Sequence, residues 1–328
     1  MKNGFRLRTF LPGLLLTAFC MVLFVPCIFV RAEGEKKSYL ALGQDLNEEQ
    51  RKTVLSKLGL TEEDVSSMEV CYITNEMEHQ YLDSYIPAEN IGTKSISCVL
   101  VTEGDPGTGI QITTENISYC TVGMYKNALL TSGVQDATVH VAAPTQVSGT
   151  AALVGTWLAY EKMTGENLSE DRKDIAVDEI VTIGDLSDES SGEAAVDSTT
   201  GETISKEVAE ELYSYLKAKV VSEGLTDPEK IKSLLEEAEN RYNVTLTDEQ
   251  KQKLSELMPA IGGIEIDPGT LLSQAGDLYD KYGDTVLSNA KEIYTEVVTD
   301  EVKKSFADAF KTLLLSILDT VKNKVQNH

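Results

Sequence analysis

The sequence has few of the side chains that most often perform catalysis or bind metal ions. Its 328 residues include five cysteines, one tryptophan and three histidines, which are His79, His140 and His328. It contains no G-x-S-x-G, H-E-x-x-H, C-x-x-C or Walker motif, and no acidic run has the spacing of a calcium-binding loop. We therefore expect no metal site and no cofactor.

A histidine-based catalytic site would have to use His79 or His140, since His328 is the terminal residue. His140 lies in V-H-V at 139–141, and strand alternation places it on the face opposite the two valines. A half-exposed strand histidine is therefore favoured over a general base at this position.

Cysteine is too sparse for a disulfide framework. If the first 32 residues are removed, Cys71, Cys98 and Cys120 remain. The first two lie in strand-like segments, where cysteine usually acts as a small hydrophobic residue. Buried free thiols are the favoured interpretation. The alternatives are a disulfide between Cys71 and Cys98, and a reactive Cys120 thiol at a helix start.

Residues 1–32 have the pattern of a secretory signal peptide. Three basic side chains precede a largely apolar run over residues 14–30, and Val30 and Ala32 suit the positions that a signal peptidase reads. The run is at the lower length limit for a membrane span, and Pro26 interrupts it. We predict cleavage after Ala32 and a secreted or extracellular protein associated with the cell surface. A retained membrane anchor is the alternative.

Acidic residues far outnumber basic ones, with 53 Asp and Glu against 29 Lys and Arg. Cleavage after Ala32 would remove four basic residues and leave a net charge of about −28. Such a charge repels nucleic acid, so no nucleic-acid partner is expected. Anionic lipids and polymers of an envelope should be repelled as well, and the simplest interpretation is a solvated acidic surface.

Residues 33–183 alternate between strand and helix patterns. Strands are predicted at 38–42, 68–74, 94–102, 109–116 and 138–142, and helical segments at 47–58, 76–85, 119–131 and 149–163. The last four of these elements, at 109–116, 119–131, 138–142 and 149–163, follow one another in the order β-α-β-α. This order favours partly parallel pairing of the strands. The E-G-D-P-G-T-G segment at 103–109 lacks the lysine of a phosphate loop and predicts a hairpin connection. The fold class is therefore α/β, with a mixed, partly parallel sheet and flanking helices.

The chain changes character after residue 183. Residues 184–203 are acidic and rich in Ser, Thr and Gly, which is typical of a linker or mobile loop. Residues 204–266 have only helical patterns. Their signals are the apolar series Ile204, Val208, Leu212, Leu216 and Val220, a helix start at Asp227 and Pro228, and a capping box of Thr247 and Gln250. We predict an all-helical C-terminal region.

Residues 267–328 form a separate amphipathic segment. Apolar residues from Val286 to Val325 recur at mostly three- and four-residue spacing, which predicts a long helix. The part after Lys303 is locally basic. Three roles are open for 286–325: packing on the helical region, self-association, and weak contact with a membrane surface.

Three segments resemble a known family: Y-L-A-L-G-Q-D-L-N-E-E-Q-R at 39–51, N-E-x-E-H at 75–79, and the run at 116–165. Over residues 39–261 the sequence resembles the YpuA-like family of exported bacterial proteins, which carry domain of unknown function 1002. The resemblance implies export from a bacterial cell. It implies no particular activity.

Two helix starts rich in small residues, at 119–123 and 148–155, border the predicted strand at 138–142. Both N-termini can meet at one edge of the sheet, where uncovered N–H groups favour an anion or a carbonyl group. The candidate ligand-binding residues are Tyr119, Thr121, Ser148, Gly149 and Thr150. The alternative is that Ser148 caps its helix and the small residues only allow close packing.

These patterns favour a secreted binding or interaction protein of the cell envelope, whose partner is an envelope component or a protein. No residue is assigned a catalytic role. The alternative is a hydrolase or transferase that uses Ser148 or Thr150 in a crevice at the strand edge, where open α/β sheets place ligands.

Overall fold

The computed structural model describes residues 36–188 and 194–266. The strands in these ranges are β1 (Ser38–Gly43), β2 (Glu69–Ile73), β3 (Cys98–Glu103), β4 (Ile110–Ile117), β5 (Ala137–Val147), β6 (Val196–Asp197) and β7 (Val244–Thr245). The helices are α1 (Glu48–Lys57), α2 (Glu62–Ser66), α3 (Asn75–Leu82), α4 (Ala88–Ile91), α5 (Val122–Ser132), α6 (Thr150–Thr164), α7 (Glu170–Leu186), α8 (Lys206–Glu223), α9 (Pro228–Tyr242) and α10 (Asp248–Gly262).

The first five strands form one mixed sheet in the order β2-β1-β3-β5-β4. Strand β1 is parallel to β2, and β4 is parallel to β5, whereas β3 is antiparallel to both β1 and β5. A parallel pair needs a long returning connection, and α5 is the helix in the connection from β4 to β5. The predicted fold class, a partly parallel sheet with flanking helices followed by a helical region, is confirmed.

The predicted hairpin between β3 and β4 is wrong, because β5 lies between them. Their connection passes the start of β5, where the Gly104 N–H donates to Asp136 O at 2.6 Å and the Gly109 N–H donates to Asp136 Oδ1 at 2.8 Å. Val139 and Val141 of β5 are both buried. An apolar strand of this kind is more stable inside a sheet than at its edge, so β5 and not β4 pairs with β3. The residues of the connecting turn alone cannot indicate which strand takes this place.

Alternation along β1 divides its side chains between the two faces of the sheet. Leu40 and Leu42 are fully buried in one apolar cluster with residues of α1 and α2. Ala41 belongs to the cluster on the other face, which includes α6. A Cβ added to Gly155 of α6 would lie 2.9 Å from Ala41 Cβ, so a glycine is required for this close contact between helix and sheet.

The helices after residue 166 share the larger apolar cluster with the sheet and α6. Leu212, Leu216 and Val220 of the predicted four-residue series are fully buried on α8. The predicted start of α9 is confirmed, because Asp227 Oδ1 accepts the N–H groups of Glu229 and Lys230. One continuous core therefore joins the sheet to the helical region.

Helix α7 extends into the segment predicted as a linker and ends at Leu186. Residues 189–193 lie outside the described residues. Ala195 is fully buried, and its N–H donates to Leu186 O at 2.9 Å. Strand β6 follows at once and pairs with β7. Both described flanks of this segment are therefore anchored to the helical region.

The predicted signal peptide at 1–32 and the amphipathic segment at 267–328 lie outside the described residues. Cleavage after Ala32 and the three roles for 286–325 therefore stay predictions. Within 36–188 and 194–266, no helix combines the length and the apolarity that crossing a bilayer requires.

The three cysteines in the described ranges are free thiols. Cys98 and Cys120 are buried, and burial raises the pKa of each thiol to about 12. Cys71 is half-buried on β2, and burial raises its pKa too. The favoured interpretation as free thiols is confirmed. The alternative of a reactive Cys120 is wrong, because its side chain is 1% exposed and burial in apolar surroundings disfavours the thiolate.

Candidate functional site at the start of helix α6

Helices α5 and α6 begin at the same edge of the sheet, because they follow the two parallel strands β4 and β5. The Ser118 N–H donates to Val147 O at 2.9 Å, and the Cys120 N–H donates to Ser148 O at 2.9 Å. The segment that enters α5 therefore lies beside the segment that enters α6. The two helix starts converge as the sequence predicts.

Gly149, and not Ser148, is the N-cap residue of α6. Its φ of +99° lies in the left-handed region, which glycine adopts without a clash of Cβ. An added Cβ would lie 2.6 Å from Tyr125 Oη and 2.7 Å from Ile117 Cγ2. Tyr125 also donates its hydroxyl proton to Gly149 O at 2.5 Å. The interpretation of Ser148 as the helix cap is wrong, because the left-handed turn at Gly149 moves the cap by one residue.

Thr121 is the N-cap of α5, and its Oγ1 accepts the Met124 N–H at 3.2 Å. The helix predicted from 119 therefore begins three residues later, at Val122. Tyr119 precedes the cap and is half-buried against the core, which raises the pKa of its hydroxyl. A Cβ added to Gly184 of α7 would lie 3.8 Å from the Tyr119 hydroxyl oxygen, so this side chain reaches α7.

Ser148, Thr150 and Glu78 form a chain of hydrogen bonds at the start of α6, which we call the α6-start cluster. Ser148 Oγ lies 3.1 Å from Thr150 Oγ1, and Thr150 donates to Glu78 Oε2 at 2.6 Å. Thr150 and Glu78 are each 1% exposed, whereas Ser148 is half-buried. The cluster therefore connects a half-buried serine to a carboxyl group inside the protein.

Glu78 is unusual because its carboxyl group is buried with only one oxygen bonded. Its Oε1 has no hydrogen-bond partner among the described residues. Burial raises the pKa of the carboxyl group, and the nearby Thr150, Ser95, Asn75 and His79 lower the pKa again in part. A carboxyl group in this environment holds a proton more strongly than one at the surface.

Within 36–188 and 194–266, no group of three or more His, Cys, Asp or Glu side chains could hold a metal ion. The polar side chains near Glu78 are the hydroxyls of Thr150 and Ser95, the amide of Asn75 and the imidazole of His79. Ser97 Oγ accepts the Ala152 N–H at 3.0 Å, and Ser95 is fully buried beside this region. The arrangement is therefore suited to hydrogen bonding and proton transfer.

The family of the protein follows from comparison of its sequence with known proteins. A sequence profile described as "Protein of unknown function (DUF1002)" matches residues 42–278, which are most of the chain. The chain belongs to this family. The resemblance inferred above for 39–261 is confirmed, and the matched range of the DUF1002 profile contains the whole α6-start cluster.

One DUF1002 relative matches along nearly the entire chain. It is the "Uncharacterized protein YpuA" of Bacillus subtilis (strain 168), which is 33% identical over 308 residues. The alignment covers 94% of this chain and 96% of the relative. No solved structure matches the chain. Membership of the DUF1002 family therefore assigns no activity to the chain.

His140 of this DUF1002 chain does not belong to the α6-start cluster. It is half-buried on β5, on the face opposite the buried Val139 and Val141, as predicted. Ser148 follows it by eight positions, with an extended strand between them, so the two are separated by up to about 26 Å at roughly 3.3 Å per residue. A base for Ser148 must come from elsewhere, and the carboxyl group that the hydrogen bonds lead to is Glu78.

Glu78 is the residue of the cluster that sequence analysis misses. It lies within the N-E-x-E-H run at 75–79 and looks like an ordinary acidic residue near a helix start. One signal could have found it: Glu78 is four residues before Leu82, so both share one face of α3. Leu82 is fully buried, and Glu78 is buried with it.

Proposed function

We propose that the protein is exported, is cleaved after Ala32, and acts outside the membrane as a binding or interaction protein of the cell envelope. The basic residues and the apolar run of 1–32 support export. The ligand class expected at the convergent helix starts is a group that accepts hydrogen bonds, through the half-buried Ser148 hydroxyl and the first N–H groups of α6.

The observation that carries this proposal is the close packing around Gly149. Ile117, Cys120 and Tyr125 surround the position where its Cβ would be, at 2.7, 3.4 and 2.6 Å. A filled, mostly apolar surround of this kind supports a rigid surface for a partner more than a deep substrate pocket. The side chains of Thr121 and Thr150 are also engaged, in a helix cap and with Glu78.

The charge of the protein restricts the kind of partner. A net charge of about −28 after cleavage opposes nucleic acid and opposes unspecific adsorption to anionic envelope polymers. Binding to an envelope must therefore use specific contacts. The amphipathic stripe over 286–325 is the proposed second contact, for self-association or for weak membrane contact.

Co-sedimentation with isolated bacterial envelopes tests the binding proposal. Residues 33–328 should sediment with the envelopes, and added salt should leave binding unchanged or increase it, because salt screens repulsion between like charges. Leu313→Asp in the apolar stripe should reduce binding if 286–325 takes part, whereas Asn323→Asp adds the same charge outside the stripe. Recovery of all the protein in the supernatant at every salt concentration would refute an envelope partner.

A second candidate is a hydrolase or transferase, and the buried Glu78 favours it. A carboxyl group lies within hydrogen-bond reach of Thr150, which in turn contacts Ser148. Ser148 is the better nucleophile of the two, because Thr150 is 1% exposed. Release of product from small ester substrates by the native protein, and its loss in Ser148→Ala, would support this candidate.

A further inference from the structure

We propose that Ser148 is a nucleophile for acyl groups and that Thr150 and Glu78 relay its proton into the protein interior. The inference deepens the second candidate function and rests on it, and it is independent of export and envelope binding. It assigns a role to the buried carboxyl group, which export and binding leave unexplained.

The direction of the hydrogen bonds supports a relay. A hydroxyl group has one proton to donate. When Glu78 is ionised, Thr150 donates its proton to Glu78 Oε2, so the proton between Ser148 and Thr150 then comes from Ser148. The lone pairs of Ser148 Oγ then remain available to an electrophile. This polarity is the one that removal of a proton from Ser148 requires.

Glu78 has the properties of a terminal base. It is 1% exposed, its Oε1 lacks a partner among the described residues, and the titratable side chains around it are His79, Cys120 and Tyr125. Burial raises the pKa of the Glu78 carboxyl group, which makes its ionised form a stronger base than a surface carboxylate. Burial also raises the pKa of Cys120 and of Tyr125, so both are neutral near pH 7.

The start of α6 can stabilise the negative charge that develops on a carbonyl oxygen. Gly149 has no side chain that could cap the first N–H groups of the helix, and Ser97 Oγ already accepts the Ala152 N–H at 3.0 Å, so the candidate donors are the N–H groups of Thr150 and Ala151. Those N–H groups and the positive end of the helix dipole lie next to Ser148 in the sequence. An oxyanion formed at Ser148 would meet backbone donors of the type that serve acyl transfer.

The step balances without a cofactor. Ser148 Oγ forms a bond to the carbonyl carbon of an ester, and the bond from that carbon to the leaving oxygen breaks. The Ser148 proton moves to Thr150 Oγ1 while the Thr150 proton moves to Glu78 Oε2. The leaving oxygen takes a proton from water, or from Glu78 through the same relay. The products are acyl-Ser148 and an alcohol.

The test uses p-nitrophenyl acetate and the mature chain, residues 33–328. Peptide mass spectrometry should find one acetyl group on Ser148, and Ser148→Ala should remove it. Ser118→Ala is the matched control, because Ser118 is an exposed serine at the same edge of the sheet and donates to Val147 O at 3.0 Å. It should leave the labelling rate unchanged.

The relay is tested by variants that keep the shape of the side chains. Thr150→Val and Glu78→Gln should each lower the acetylation rate by about 10²-fold or more, the effect expected for loss of a general base. Thr150→Ser restores the hydroxyl and should recover most of the rate. The native rate should rise with pH as Glu78 ionises, and Glu78→Gln should lose this inflection. Circular dichroism checks that each variant is folded.

The outcomes separate the relay from the second candidate function. If Ser148 is acetylated but Thr150→Val and Glu78→Gln react at the native rate, the relay is wrong and a nucleophilic Ser148 survives. If the native protein carries no acetyl group on Ser148, both the relay and the second candidate function are overturned. In either case the proposal of an exported binding protein is unaffected.

Discussion

Replacing Lys217 by methionine should destabilise the protein by about 3–5 kcal/mol, the usual effect of leaving a buried partner charge uncompensated. Lys217 on α8 is fully buried. Its Nζ donates to Asn127 O and Thr131 Oγ1 at 2.7 Å each and lies 2.8 Å from Glu179 Oε1. Methionine has a similar shape but no donor, so all three acceptors lose this partner at once.

The size of the loss should depend on pH through Glu179. Burial raises the pKa of this carboxyl group, and Lys217 lowers the pKa again in part. Without Lys217 the pKa rises further. A group whose folded-state pKa exceeds its unfolded value stabilises the fold below the unfolded pKa, and this contribution is lost as pH rises through the folded pKa. The loss in Lys217→Met should therefore shrink as the pH is lowered through the raised pKa of Glu179.

Urea unfolding followed by circular dichroism measures these free energies. Lys217→Met combined with Glu179→Met should recover much of the loss, because apolar residues can replace a buried ion pair at little net cost. Lys230→Met on the exposed side of α9 is the control and should change stability by less than about 0.5 kcal/mol. A loss below about 1 kcal/mol for Lys217→Met, or a double variant that loses the sum of the single losses, would refute the reasoning.

Three further changes test other parts of the structure. Gly149→Ala should lower the free energy of unfolding by about 1–3 kcal/mol through strain at positive φ, and by more than Gly165→Ala, because Gly165 has φ +76° but no atom within 4 Å of its added Cβ. The free energy of unfolding of Glu78→Gln should increase relative to that of the native protein as the pH rises through the raised pKa of Glu78, because only the native protein must then bury a charge. A difference in urea unfolding that does not depend on pH would contradict this. Iodoacetamide should modify Cys98 and Cys120 far more slowly in the native protein at about pH 8 than in urea, and equal rates would argue against burial.

Local chemistry made much of the fold predictable. The predicted capping box of Thr247 with Gln250 is formed, and Asn47 with Gln50 forms another at the start of the helix predicted over 47–58, because each box needs only residues three positions apart. The β-α-β order over 109–142 predicted parallel pairing for a similar reason, since a helix between two strands reverses the chain. Signals that act within one or two turns of chain therefore sufficed for these elements.

The features that escaped prediction depend on contacts between distant parts of the chain. The segment at 103–109 has the residues of a hairpin turn, but β5 pairs with β3 in place of β4 and so separates the two strands. Glu78 reaches the start of α6 across 72 positions of sequence, and no local pattern pairs it with Thr150. The hydroxyl group of Tyr119 lies close to Gly184 of α7, which no spacing near 119 could indicate.

The N-terminal peptide of the exported protein tests the central claim of an extracellular binding protein most directly. Mass spectrometry of the protein released by a bacterial host should find Glu33 at the N-terminus, because the pattern of residues 1–32 predicts cleavage after Ala32. Recovery of the protein in the membrane fraction with the intact peptide from residues 1–32 would support the anchor and contradict release. Recovery of the full chain inside the cell would contradict export altogether.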